Sequence, residues 1–74
     1  MNIRVVRNRL ALADIQRRYA HGEIDRYQAK SEAEPVLRRI NADIVKATER
    51  LNKKYHLNRK PALLTFVAAM RNEY

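Results

Sequence analysis

One glycine (Gly22) and two prolines (Pro35 and Pro61) are the only strong helix breakers among the 74 residues of this chain. A sequence so poor in breakers and rich in Ala, Leu, Arg, Lys and Glu favours helix nearly throughout. No stretch alternates apolar and polar residues in the manner of a strand, and no Asn-Gly or Asp-Gly hairpin signal occurs. The expected fold is therefore all-α, a single domain over residues 1–74, built as a helical hairpin or small bundle of three helices. A chain of this length hides only ~60% of its unfolded surface. It has no cysteine, so neither disulfides nor thiolate metal sites can make up the deficit. Tight helix packing, self-association or a partner must do so.

The apolar spacing marks out the helices. Val5, Leu12, Ile15 and Tyr19 share one stripe of a first helix over residues 3–20, with Ala11 beside them, and Ile3, Val6 and Leu10 form a second stripe on a neighbouring face. Gly22 can adopt the left-handed conformation that closes a helix. Asp25 then offers an N-cap, with Gln28 three positions on in capping-box spacing. The second helical stretch, 25–56, carries Ala33, Leu37, Ile40, Ile44, Ala47, Leu51 and Tyr55 at steps of four, three, four, three, four and four, close to the pattern of a helix packed lengthwise on another. Pro35 interrupts it. Ser31 and Glu34 form a further capping box there, so the stretch is expected to be kinked or broken near Pro35. Asn58 can end this helix and Pro61 can open a third at its first position, running to Arg71. That segment carries Leu63, Leu64, Phe66, Val67 and Met70 and is apolar on nearly every side. One half of its surface suits the core, and the other half suits a dimer or partner interface.

Sixteen Lys and Arg against eight Asp and Glu give a net charge of +8. The excess is uneven: +4 over residues 1–20, −1 over 21–45, +5 over 46–60 and zero thereafter. Folding a hairpin at Gly22 lays Arg4, Arg7 and Arg9 beside residues 37–43. Lys46, Arg50, Lys53, Lys54, Arg59 and Lys60 then lie just beyond. Both basic clusters converge on one pole, and Glu23, Asp25, Glu32 and Glu34 gather at the other. Such polarity favours a positioned contact with phosphates or with an acidic protein. The plainer reading is charge that keeps the chain soluble, with Lys53 and Lys54 answering the helix dipole.

The residues of catalysis are not arranged for it. His21 and His56 stand far apart and neither has a second ligand type at metal-binding spacing. There is no glycine-rich phosphate loop, and no nucleophile with a base at a recognisable distance. Asp14, Asp43 and Glu49 read as ion-pair partners on helix faces. No enzymatic activity, metal or cofactor is expected. A DNA-reading helix–turn–helix needs a small residue four before the turn glycine and an apolar one six after it. Arg18 and Gln28 occupy those places, so phosphates are the expected target and base edges are not. Tyr19, Tyr27 and Tyr55 fall near the apolar stripes and are expected in the core.

The stretch Ile15 to Ile24, IQRRYAHGEI, resembles the short C-terminal domain (SHOCT) family, whose core reads Arg-Tyr-Ala-x-Gly-Glu-Ile between two short helices. Arg18, Tyr19, Ala20, Gly22, Glu23 and Ile24 match it, and Leu37 can stand for a closing leucine. The likeness covers residues 15–37. It implies a module for self-association or partner binding without catalytic residues.

Two functional expectations follow. In the first, the chain is a non-enzymatic binder of nucleic acid through Arg4, Arg7, Arg9, Lys46, Arg50, Lys53, Lys54, Arg59 and Lys60, in the manner of an accessory or regulatory factor of a phage or mobile element. In the second it is an oligomerisation or adaptor protein that meets a protein partner or further copies of itself through Leu63, Leu64, Phe66, Val67 and Met70. No apolar run is long enough to cross a bilayer and no uninterrupted apolar leader is present, so a cytoplasmic location away from membranes is expected.

Overall fold

The computed structural model describes residues 3–71. Three helices make up its regular structure: α1 (Ile3–Ala20), α2 (Arg26–Tyr55) and α3 (Phe66–Met70). α1 and α2 form an antiparallel hairpin, and α3 closes over its base near the turn.

The turn is built as the sequence requires. Gly22 has φ of +74°. Its N–H donates to the Tyr19 carbonyl (3.1 Å), while the Glu23 N–H reaches back to the Arg18 carbonyl (2.9 Å). This pair of bonds is a Schellman closure, which satisfies carbonyls that α1 would otherwise leave open. Asp25 caps α2 by accepting the Gln28 N–H at 2.7 Å. The capping box is only half formed, because the Gln28 amide donates forward to Glu32 (3.3 Å).

α2 is one uninterrupted helix of 30 residues with Pro35 inside it, so of the two expected alternatives, a kink or a break, there is no break. A helix of that length measures ~45 Å, and the molecule extends 46 Å along its longest axis. Pro35 supplies no N–H for the Ser31 carbonyl, but both residues lie on the exposed side of α2. Ala33 and Val36, on either side of the proline, are buried in the core. Packing against α1 therefore keeps the two halves one helix where local propensity alone would part them. The helix ends on His56, a non-glycine residue in the left-handed region (φ 55°), two positions before Asn58.

The core is small. Leu12, Ile15, Ile24, Ala29, Ala33, Val36 and Ala69 are its buried members, and Leu12 is the largest side chain fully enclosed. Tyr19, Leu37, Ile40, Leu64, Phe66 and Met70 pack against it partly exposed. Alanines on α2 let α1 approach closely, while Phe66 covers Tyr19 with ring centroids 6.3 Å apart and Arg26 lies 5.7 Å above the Phe66 ring.

The third helix is much shorter than expected. Pro61 does not begin it. Thr65 does, with its hydroxyl accepting the Ala68 N–H (3.2 Å). Residues 57–64 instead run back along α2 as a strap held at two points. Asn52 donates to the Arg59 carbonyl (2.9 Å) and accepts the Arg59 N–H (3.1 Å). Asn41 does the same for Leu64, at 3.1 and 2.7 Å. Eleven residues of α2 rise ~16.5 Å, and five residues at ~3.3 Å each cover the same span only when extended. Pinning Arg59 and Leu64 at these two points is thus incompatible with a helix that starts at Pro61.

Candidate nucleic-acid interface

The hairpin register brings Arg4 to within 3.4 Å of Asp43 and the Arg39 guanidinium to the buried Asn8 side chain (3.2 Å). Arg4, Arg7 and Arg9 therefore do lie alongside the middle of α2, as the turn position implies. α2 continues beyond Asp43 for twelve residues, about 18 Å, past the start of α1. Lys46, Arg50, Lys53 and Lys54 stand on this projecting part, all exposed, and Arg59 and Lys60 follow on the strap beside it.

Four of the acidic residues, Asp14, Glu32, Glu34 and Asp43, are engaged by arginines outside this projecting part. Arg18 makes a two-pronged contact with Glu32 (2.7 and 3.2 Å) and a further bond to Asp14 (3.0 Å), which also holds Arg17. Glu34 pairs with Arg38, and Asp43 with Arg4. The hydrogen bond from Arg18 holds the Glu32 carboxyl below its ordinary pKa against an opposing effect of burial. Asp14 is lowered chiefly by its hydrogen bond from Arg17. Arg18 is in turn raised, first by its bond to Glu32. Arg18 also explains why the turn differs from a DNA-reading helix–turn–helix. α1 and α2 lie side by side, and a long side chain at this position bridges them where a crossing would demand a small one.

Lys46, Arg50, Lys53, Lys54, Arg59 and Lys60 enter no ion pair among the described residues. Lys46, Arg50 and Lys53 line one shallow surface with Glu49. Lys54 turns back over the Tyr55 ring, 5.4 Å from its centre. Arg7 and Arg9 are exposed on α1, with Arg9 on the rim of a groove between α1, α2 and the strap. The basic pole thus has two qualities: Arg4 is held by Asp43, while Lys46, Arg50, Lys53, Arg59 and Lys60 form no ion pair among the described residues, with Glu49 the one acid among them.

The apolar residues assigned to a partner interface separate as well. Leu64, Phe66 and Met70 are turned into the core, while Leu63 and Val67 are 54% and 46% exposed. Two aromatic expectations fail. Tyr27 is 85% exposed and Tyr55 is 57% exposed; only Tyr19 joins the core. Tyr27 sits in the first turn of α2, outside the face that α1 covers.

Hydrophobic periodicity missed the asparagines. Asn8, Asn41 and Asn52 fix the register and the strap, yet they read as ordinary polar positions in a helix. The spacing of Asn41 and Asn52, three turns apart on one face, was the available signal. Among the described residues no group of His, Cys, Asp and Glu is placed to hold a metal ion, and no helix is long and apolar enough to cross a membrane. Comparison with family models, with curated proteins and with solved structures finds no match for this chain.

Proposed function

We propose that this chain binds nucleic acid through phosphate contacts made by the projecting end of α2 and the strap. The observation that carries the reading is the separation of charge. Asp14 and Glu32 are engaged with arginines toward the turn, Glu34 pairs with Arg38 and Asp43 with Arg4, and Lys46, Arg50, Lys53, Arg59 and Lys60 face solvent unpaired. Uncompensated cations along one projecting rod release counterions when they meet a phosphate backbone, and each such contact steepens the dependence on salt. Arg7 and Arg9 extend the same field along α1. In this role the chain is a binding factor and has no reaction to perform.

A salt titration of binding to duplex and single-stranded DNA tests the reading. Affinity is expected to fall steeply as salt rises, and replacing Lys46, Arg50 and Lys53 together with alanine should flatten the slope by about three phosphate contacts. Absence of binding even at low salt rejects it.

A second reading, an adaptor that meets protein through the C-terminal segment, has one observation in its favour. Leu63 and Val67 remain half exposed after α3 has docked.

A further inference from the structure

α2 carries a single apolar seam from end to end, and only part of it is covered. Ala33, Leu37 and Ile40 meet α1 within the core, Ile44 and Ala47 flank a groove shared with Val5 of α1, and Leu51 and Tyr55 continue the same spacing past the start of α1. Leu51 is 53% and Tyr55 57% exposed there. Just before them lies the groove, about 570 Å³, whose walls include Val5, Ile40, Ile44, Ala47, Leu63 and Leu64. A cavity of about 150 Å³ accommodates a ring the size of benzene, so this groove has space for more than one large side chain.

The chain therefore presents an apolar groove and, one to two turns farther along the same helix, the exposed apolar side chains that would fill one. We propose that a second copy of this chain covers the groove, with its α2 running antiparallel about a two-fold axis near Ala47. Leu51 and Tyr55 of each copy then enter the groove of the other. Such a contact is reciprocal and closed, as a two-fold interface must be. Ala47, the small residue at the axis, lets the helices approach closely. The contact also extends the α1–α2 seam already formed, in a chain whose buried core among the described residues is small.

Charge sets the geometry. At ~100° per residue, Lys46 and Lys53 point roughly 145–165° away from the seam and Arg50 about 105°, so an antiparallel copy leaves them outward. Lys54, at the edge of the seam, comes within a turn of Asp43 of the second copy. The two basic ends are still brought near each other, and their repulsion weakens as salt screens it. Dimerisation should therefore strengthen with salt while phosphate binding weakens. The dimer does not depend on the phosphate-binding reading.

Sedimentation equilibrium of the whole chain without nucleic acid, at low and high salt, tests this. The wild type is expected to be a dimer whose dissociation constant falls several-fold as salt rises. Leu51→Glu should be a monomer with its helical circular dichroism retained, and Leu10→Glu, on the outer face of α1, should remain a dimer. If Leu51→Glu loses helicity, Tyr55→Lys in the last turn of α2 replaces it, with the same expectation. A wild type that is monomeric at every concentration and salt overturns the proposal. So does a dimer that survives the change at Leu51 or Tyr55, or one that Leu10→Glu abolishes.

Discussion

The side chain of Asn41 holds the backbone of Leu64 from both sides, accepting its N–H at 2.7 Å and donating to its carbonyl at 3.1 Å. One amide thereby substitutes for the neighbouring strand or helical turn that Leu64 lacks. It fixes where the strap ends and where α3 can begin, and with α3 it places Phe66 over Tyr19 and Ala69 in the core.

Asn41→Ala should free the strap at this point. The loss of two partly buried hydrogen bonds is expected to cost about 1–3 kcal/mol, read from urea unfolding. Hydrogen exchange should locate the effect, with the Leu64 amide losing its protection and the amides of α1 keeping theirs.

Pro35 should be a source of instability that the rest of the fold tolerates. Pro35→Ala restores a donor for the Ser31 carbonyl and removes the ring from an uninterrupted helix. It is expected to raise stability by about 1–3 kcal/mol, below or near the usual cost of an interior proline. A higher midpoint of thermal unfolding would show it, and an unchanged or lower midpoint would mean that α2 is already adjusted to the proline.

Acid should loosen the turn end of the hairpin. Asp14 and Glu32 have pKa values lowered in the folded state, chiefly by hydrogen bonds from Arg17 and Arg18 respectively. A lowered folded pKa contributes stability that is present above the unfolded value and is lost as pH falls through the folded one. The urea midpoint is therefore expected to drop as pH goes below the ordinary carboxylate range of about 4. Glu32→Gln should shrink that drop while leaving the response to basic pH unchanged. These groups sit near the surface, where ion pairs are screened, so a shallow slope is expected.

α1, the extent of α2 and the turn were legible from the residues because local chemistry dictates them. Gly22 alone can close α1, Asp25 can cap α2, and the Ala33–Leu37–Ile40 spacing selects the face that meets α1. The register followed from the turn, and it brought Arg4 to Asp43. Charge polarity was legible too, since sequence position along a hairpin is position in space. Which cations would be compensated was not legible, because ion pairs such as Arg18–Glu32 join residues fourteen apart.

The sequence by itself determined that this protein is helical, that it turns at Gly22, and that its positive charge gathers at the end away from that turn. Only the tertiary structure decided that Pro35 would lie within a continuous helix, that residues 57–64 would be a strap and not the start of α3, and that Leu51 and Tyr55 would be left uncovered. The physical reason is the same in all three cases. Propensity and periodicity act over neighbouring residues, whereas the packing of α1 against Ala33 and Val36, and the grip of Asn41 and Asn52 on distant backbone, arise only when the chain has folded back on itself.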